Sequence, residues 1–364
     1  MILHRYFARR FMLSFLAVFG IFFAMLWSLD LIDQVRRFGG ANASLGQIVG
    51  MTFLNVPQAI YRILPLIMII ASIALFLALA RSSEMVVTRA AGRSALRALW
   101  APVAVALLIG CLAVGLFNPI VAATSKEYEA RSAALTGEGR VLALSDSGIW
   151  LRQGNAQGQS VIHARLTNLD GTVLNNVTFI TFAADGTPSQ RIEAARAELT
   201  DGAWAMTGAK VWPLAGTGNP EADSVTHETF AIPSTLTPDQ IRDSFGTPSS
   251  IPIWELPGFI QRLQAAGFTA RRHQVYLQGE LASPIFLVAM VLIAAGFTLR
   301  HQRGGRTGIM VLGAILLSFG VYFLRNFAQI LGETGQIPAI LAAWAPPVAA
   351  IGLSLGLLLH MEDG

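Results

Sequence analysis

The stretch that decides the fold is Ile63–Ala80, with the sequence ILPLIMIIASIALFLALA and no charged residue. A helix needs about 20 mainly apolar residues to cross the hydrocarbon core of a bilayer. Five further stretches of similar character lie on either side of it, so we predict a polytopic α-helical membrane protein. The six predicted spans are Phe11–Leu29, Ile63–Ala80, Ala98–Phe117, Leu281–Leu299, Thr307–Leu324 and Pro338–Leu359.

The composition of the whole chain supports this interpretation. Of its 364 residues, 53% are hydrophobic and 13% are charged. Soluble domains carry about 25% charged residues, so the composition excludes an ordinary soluble enzyme and a disordered chain. The net charge of +4 does not indicate nucleic-acid binding, because the basic residues lie beside apolar runs. The single cysteine, Cys111, excludes an internal disulfide and a cysteine-based metal site.

Arginine clusters in the short loops predict the orientation of the spans. They fall on one side of the membrane if all six segments cross it, and the positive-inside rule assigns that side to the cytoplasm. Both termini are then cytoplasmic. The clusters are Arg5, Arg9 and Arg10; Arg81, Arg89, Arg93 and Arg97; and Arg300, Arg303 and Arg306.

A long hydrophilic insert separates the first three spans from the last three, and the same rule places it on the side opposite the cytoplasm. Two segments, Val161–Leu166 and Val177–Phe182, alternate apolar and polar residues as half-buried strands do. Asp-Gly pairs at 170–171, 185–186 and 201–202 are typical of hairpin turns. We expect seven or eight short strands forming a sandwich or a half-open, jellyroll-like domain. Val177 and Phe179, or their neighbours on the other face, are candidates for its interior.

These observations divide the chain into four regions. Residues 1–120 hold the first three spans and residues 121–253 the β domain. Within residues 254–275, Trp254–Ala266 carries apolar residues at helical spacing and predicts a short amphipathic helix near the membrane surface. Residues 276–364 hold the last three spans.

Catalytic motifs are absent from the sequence or poorly placed. There is no phosphate-binding P-loop, and the six histidines show no zinc-ligand spacing, so we predict no catalytic residue, metal site or cofactor. Gly352–Gly356 matches the G-x-S-x-G nucleophile elbow, which requires a strand-to-helix turn. The match lies inside an apolar run, where small residues at this spacing are typical of helix packing.

The loop Arg81–Arg97 predicts a short helix over about residues 83–91. Ser82 or Ser83 can cap it, and Glu84 falls in its first turn. One interpretation is a simple connector. The other is a coupling helix that docks on a cytoplasmic motor protein through Glu84, Met85, Val86 and Arg89. Residue spacing leaves both open.

Charged residues also crowd the predicted end of the first span, where Asp33, Arg36 and Arg37 lie close together. Charges at membrane depth usually face a cavity or mark a functional site. The alternative is a helix end in interfacial water with an i,i+4 pair between Asp33 and Arg37. Arg131 and Arg325 lie near the same predicted side. If the guanidiniums converge, they suit a phosphorylated amphiphile, because arginine pairs bidentately with phosphate.

Taken together, several motifs resemble the lipopolysaccharide export permease family LptF/LptG, over essentially the whole chain. The D-Q-x-[KR]-[KR] pattern after the first span favours the LptG branch. The matching segments are Asp33–Arg37, Arg81–Val87, Ala90–Gly92, Trp254–Leu256 and Leu281–Pro284.

The resemblance implies a subunit of a transporter in the bacterial inner membrane, with a periplasmic jellyroll-like domain and without enzymatic activity of its own. Its partners would be an LptF-like paralogous permease and an LptB-like ATPase dimer that binds the ATP. LptC-like and LptA-like proteins would form a periplasmic bridge that receives lipopolysaccharide. Glu84 would be the coupling carboxylate, and Arg36 and Arg37 would face lipid phosphates. Arg131 matches a basic position approximately, Asp30 departs from the basic residue of some members, and Arg325 matches no assigned position.

Three other functions are compatible with parts of the sequence. A membrane-anchored binding or scaffold module would recruit a partner through its β domain without transport. A mechanotransmission subunit would drive a protein outside the membrane, although such subunits commonly place their large domain after the first span. An intramembrane hydrolase would need the Gly352–Gly356 motif to be catalytic.

Overall fold

In the computed structural model, residues 2–39, 43–82, 84, 95–136, 143–145, 148–155, 158–167, 171–183, 185–215, 219–234, 236, 247–265, 269–298 and 307–362 are described. Six of the described helical stretches are long and apolar enough to cross a membrane, which confirms the predicted number. Most of them are longer than predicted because the helix continues past its apolar core, whereas the second, Leu64–Arg81, has the predicted length of 18 residues. The α-helices are α1 (Ile2–Phe38), α2 (Leu45–Arg62), α3 (Leu64–Arg81), α4 (Ala95–Leu112), α5 (Asn118–Thr136), α6 (Leu256–Ala265), α7 (Arg271–Thr298), α8 (Thr307–Glu333) and α9 (Ala339–Glu362).

The core of the helical unit is built around α7. This helix packs against α3, α4, α8 and α9, and nearly all its residues from Phe286 to Ala295 are buried. The approach of α4 is close, because a Cβ atom added to Gly110 would lie 2.5 Å from the Cα atom of Pro284. The helical unit comprises Met1–Leu135, Ser249–Trp254 and Arg271–Gly364.

Helix α2 is an element that the sequence analysis did not predict. Its buried residues, including Ile48, Met51 and Val56, follow helical spacing. At its start the Ser44 hydroxyl accepts a hydrogen bond from the Gln47 amide, and the Gln47 side chain accepts one from the Ser44 amide. This reciprocal arrangement is a capping box, which satisfies two amides that the helix leaves without partners.

The third span continues beyond Phe117, where the prediction ended. One turn of π-helix, Ala113–Phe117, joins α4 to α5, and helical structure extends to Thr136. The second compact unit therefore contains Thr136–Pro248 and Glu255–Ala270, rather than starting near residue 121. It includes α6, which lies within the stretch where the amphipathic helix was expected.

The inserted β domain is confirmed as one seven-stranded antiparallel sheet within the described residues. Each strand pairs with its neighbours in sequence, so the sheet is a meander. Gly186 and Gly202, at φ 83° and 84°, form the predicted hairpin turns, and Gly171 has φ 73° while Asp170 lies outside the described residues. The strands are β1 (Ala143–Ser145), β2 (Gly148–Asn155), β3 (Gly158–Thr167), β4 (Val173–Ala183), β5 (Pro188–Thr200), β6 (Ala203–Pro213) and β7 (Val225–Pro233).

Strict alternation along the strands breaks at one level of the sheet. At this level, one residue in each of five neighbouring strands has no paired residue on the adjacent strand. The strands pair in the same register before and after that residue. The skipped residues, which we call the transverse row, are Arg165, Asn176, Ala195, Gly208 and Glu228. Across it, buried residues are three apart instead of two, as with Leu174 and Val177. Leu166 is consequently exposed, which corrects the alternation predicted for Val161–Leu166.

The second and last strands of the sheet contact each other at one end, which shows that the sheet curls. Gln153 Nε2 donates to the carbonyl of Pro233 at 3.2 Å, and the Ser234 hydroxyl donates to Gln153 Oε1 at 2.7 Å. On the concave side, Phe179 and Trp204 are fully buried and their rings meet edge to face at 6.2 Å. Val177 and Phe179, rather than their neighbours, therefore face the interior.

Candidate functional site

A chain of polar side chains ties the C-terminal end of α1 to α2 and α5. Asn55 Nδ2 donates to Asp30 Oδ1 at 2.6 Å, and Gln34 Nε2 lies 3.4 Å from the same oxygen. Gln34 is buried and exchanges hydrogen bonds with the Tyr128 hydroxyl at 3.0 and 3.2 Å. Arg37 Nη1 donates to that hydroxyl at 3.4 Å. These contacts fix the direction in which α1 presents its last turns.

Three of the predicted site residues, Asp33, Arg36 and Arg37, are exposed on those last turns. Among the described residues no ion pair joins Asp33 and Arg37, and Arg37 instead donates to the Tyr128 hydroxyl and lies over the Phe38 ring. Both arginine side chains remain exposed, and the buried Gln34 supports this part of the helix.

Arg131 lies on the neighbouring α5, three residues after Tyr128. Its Nε donates to Glu127 Oε1 at 2.7 Å, and its Nη1 would lie 4.0 Å from a Cβ atom added to Gly50 of α2. Residues three apart share a helix face. The Tyr128 contact therefore brings Arg131 and Arg37 to the same end of the helical unit.

Arg325 has entirely different surroundings. Its Nη2 donates to the Gly279 carbonyl at 3.4 Å, and its Cζ lies 4.7 Å from the centre of the Phe286 ring, both on α7. The Gly279 carbonyl that it contacts belongs to the residue directly before the buried Glu280. It shares no described contact with Arg37 or Arg131, which lie at the same end of the helical unit, so Arg325 is separate from that group.

Glu84 is held by the N-terminal part of α1. Its carboxylate accepts hydrogen bonds from Arg10 Nη1 at 2.6 Å, from the Ser82 hydroxyl at 2.8 Å and from the Tyr6 hydroxyl at 3.1 Å. Burial acts to raise the pKa of this carboxyl, but the hydrogen bonds from Ser82, Arg10 and Tyr6 outweigh it and lower the pKa. Met85, Val86, Arg89 and most of the predicted helix 83–91 lie outside the described residues.

The residues that support these sites carry no local sequence signal. Gln34 was noted only as part of a motif, and Asn55, Tyr128 and Glu280 were not singled out. Their partners lie 25 to 219 positions away, so no local pattern reports the contacts. The available signal is a polar residue inside an apolar stretch, which at membrane depth usually has a specific partner.

Two helices expose apolar faces along much of their length. On α1 this face carries Leu13, Leu16, Ile21, Leu29 and Ile32, ending beside Arg36 and Arg37. On α8 it carries Leu312, Leu316, Phe319, Phe323, Phe327 and Ile330. In a membrane such faces contact lipid or another helix.

These features define a multi-pass helical membrane protein with one β domain inserted between its third and fourth spans. Its residues 5–360 match the model of the family described as lipopolysaccharide export system permease LptF/LptG, and the chain belongs to that family. The family resemblance seen in the sequence is thereby confirmed. The chain is accordingly a permease subunit and not an enzyme.

Named relatives agree with this assignment. The chain is 23% identical over 365 residues to the lipopolysaccharide export system permease protein LptG of Haemophilus influenzae, covering 95% of this chain and 97% of the relative. It is also 23% identical over 369 residues to the LptG protein of Escherichia coli K12, covering 99% and 98% respectively. The similarity therefore extends over both the helical unit and the β domain.

Proposed function

We propose that this chain is the LptG-type half of an ATP-driven exporter, and that it extracts lipopolysaccharide from the outer leaflet of the inner membrane. It would pair with an LptF-like permease, with both termini and the loop around Glu84 in the cytoplasm. The arginine clusters of the short loops support this orientation.

The observation that carries the proposal is the arrangement of α1. An exposed apolar face about the length of a membrane span ends at the exposed guanidiniums of Arg36 and Arg37, with Arg131 on the adjacent α5. Such a surface matches a phosphorylated amphiphile, whose acyl chains need apolar contacts and whose phosphates suit bidentate arginine. We propose Arg36, Arg37 and Arg131 as headgroup contacts, with Asp33 restricting where the phosphate sits.

Lipid extraction also requires continuous apolar contacts. Each CH₂ group taken out of the bilayer into water costs about 0.8 kcal/mol, so bare extraction of several acyl chains would cost tens of kcal/mol. The exposed faces of α1 and α8 would line the first part of the path. The interior of the β domain, including Val177 and Phe179, would line a later part and deliver the lipid to LptC-like and LptA-like partners.

Energy would come from an LptB-like ATPase dimer. Glu84 and the adjacent Met85, Val86 and Arg89 are proposed to dock on it, which would transmit nucleotide-driven closure to the spans. A carboxylate and two apolar side chains next to each other suit a groove with a basic group at one end. The chain itself would bind no cofactor.

Purification from native membranes followed by reconstitution tests the proposal. The tagged chain should copurify with an ATPase and a second six-span permease, and proteoliposomes of the complex should release lipopolysaccharide to a soluble acceptor only with ATP. A chain that purifies alone would favour the anchor or scaffold. An intact complex that hydrolyses ATP without lipid release would favour mechanotransmission.

A further inference from the structure

A cluster of polar side chains lies where α2, α5, α7 and α8 meet. Glu280 on α7 is only 6% exposed and accepts a hydrogen bond from the Tyr61 hydroxyl of α2. Asn118 Nδ2 of α5 donates at 3.0 Å to the hydroxyl of Tyr276, one helical turn before Glu280. Arg325 of α8 completes the group. We call Tyr61, Asn118, Tyr276, Glu280 and Arg325 the Glu280 cluster.

The permanent charge of Arg325 requires a counter-charge nearby, and Glu280 is placed to supply it. A guanidinium stays protonated in proteins, so it cannot avoid its charge inside a membrane by losing a proton. Its direct contacts, the Gly279 carbonyl and the face of Phe286, stabilise the cation only in part. Glu280 directly follows Gly279, so its buried carboxylate lies on the turn of α7 that Arg325 contacts, without a direct ion pair between the two among the described residues.

Uncharged contacts hold helix α8 in the helical unit, among them the buried Ala314 and a hydrogen bond from the Tyr322 hydroxyl to the Arg62 carbonyl at 3.5 Å. One face is apolar and exposed, with Phe323 71% and Ile330 57% exposed. The other face packs against the core through residues such as Ile315 and Val321, and a Cβ atom added to Gly279 of α7 would lie 2.9 Å from Gln329 Nε2. Apolar contacts are non-directional, whereas a charged contact has a more defined position.

The cluster also holds the segment that returns to the helical unit before α6. Asn118 Oδ1 accepts a hydrogen bond from the Ile253 amide at 3.0 Å, and Trp254 Nε1 donates to the Gly115 carbonyl at 3.3 Å. Gly115 lies in the π-helical turn, where the backbone departs from α-helical hydrogen bonding. Asn118 therefore connects this segment to the same α7 turn that holds α8.

We propose that Glu280 is a positioning residue, whose carboxylate supplies the counter-charge that fixes Arg325 and thereby sets the place of α8 against α7. This proposal depends on the proposed function in one respect, namely that α8 borders the lipid path. A fixed α8 keeps that path closed on one side while lipid moves through it. Arg325 is then an element of the helix contact, and not a lipid ligand as the sequence suggested.

Distances between spin labels test the position of α8 directly. The labels would be attached at Leu108→Cys on α4 and Ile330→Cys on α8, both exposed, in a Cys111→Ala background of the full complex. Glu280→Gln and Arg325→Gln should each broaden the distance distribution. The double variant should narrow it again, because it contains no uncompensated charge. Glu333→Gln, which removes a carboxylate at the exposed end of α8, is the matched control and should leave it unchanged.

Lipid release should follow the same pattern, falling about tenfold in each single variant and returning to within about twofold of wild type in the double. If a single variant does not accumulate, its rescue by the second substitution supports the proposal, and lack of rescue overturns it. Unchanged distances in the single variants also overturn it. So does loss of lipid crosslinking in Arg325→Gln with unchanged distances, which would assign Arg325 to the substrate. A wild-type complex that releases no lipid would refute the proposed function while leaving the distance result valid.

Discussion

Arg10 Nη1 donates a hydrogen bond to Glu84 Oε1 at 2.6 Å and so joins the first turns of α1 to the segment that follows α3. The same carboxylate is the proposed contact with the ATPase. Arg10, Tyr6 and Ser82 together hold it in one orientation before any partner binds. A preorganised charged group loses less conformational entropy on docking than a mobile one.

Replacing Glu84 by alanine should weaken the association with the ATPase about tenfold, because a hydrogen bond to a charged group contributes about 1.5–3 kcal/mol. The measurement is the amount of ATPase that copurifies, followed by ATP-dependent lipid release from proteoliposomes. Glu255→Ala, which removes another exposed glutamate, is the control. Normal association and normal release in Glu84→Ala would refute the coupling role.

The contact between Arg10 and Glu84 should persist to mildly acidic pH. The folded-state pKa of Glu84 is lowered from its usual 4.5, so the ionised carboxylate stabilises the fold above that value and the contribution is lost as pH falls below it. The thermal stability difference between wild type and Arg10→Gln should stay constant from about pH 7 to about pH 5 and shrink below about pH 4.5. A difference that already disappears near pH 6 would contradict the lowered pKa.

Charge reversal at Arg36 and Arg37 should reduce photocrosslinking of lipopolysaccharide to α1 about tenfold or more, since two phosphate contacts become repulsive. The complex should remain intact, because both side chains are exposed. The matched control is Arg36→Lys with Arg37→Lys, which keeps the charge and should retain most of the crosslinking. Equal crosslinking in all three proteins would show that these residues do not contact the lipid and only form a helix end in interfacial water.

The membrane spans could be predicted because the bilayer requires a long uninterrupted apolar run, which one stretch of sequence displays by itself. Helix α2 was missed because its apolar residues are interrupted by Gln47, Asn55 and Gln58, although the Ser44-x-x-Gln47 capping box was readable in the sequence. The exposed arginines were found because charge is conspicuous beside an apolar run. Their supports were not, since Gln34 and Tyr128 are 94 positions apart and only the folded chain brings them together.

The packing of α4 on α7 makes Gly110 intolerant of a side chain. A Cβ atom there would lie 2.5 Å from the Cα of Pro284, so either backbone would have to move. Gly110→Ala should lower stability by about 1–3 kcal/mol, as overpacking does in a close-packed core. Gly20→Ala on α1, where no atom lies within 4 Å of the added Cβ, should be neutral or slightly stabilising. Thermal unfolding of both variants in the same detergent gives the comparison, and equal stability would exclude the close approach.

Alternation of buried and exposed residues describes only part of each strand in the β domain. Alternation predicted Val177 and Phe179 on one face, and both are buried. It failed at Leu166 because the transverse row adds a residue between buried positions in β3 to β6 at the same level. That row depends on left-handed backbone conformations at Asn176, φ 50°, and Gly208, φ 66°. Asparagine and glycine adopt that region readily. However, one asparagine or glycine inside a strand does not predict that the neighbouring strands are interrupted at the same level.

Asn176 therefore provides a direct test of the transverse row. A β-branched residue pays about 1–2 kcal/mol or more in the left-handed region, so Asn176→Val should destabilise the β domain by that amount. Asn176→Gly should be tolerated, because glycine adopts positive φ without a steric penalty. Thr178→Val, a β-branched replacement at a regular position of the same strand, is the control for propensity alone and should have little effect. Urea-dependent proteolysis of the full-length chain, followed on fragments from residues 143–233, measures the three variants. Equal resistance of Asn176→Val and wild type would show that this strand runs straight through the position, without the left-handed residue.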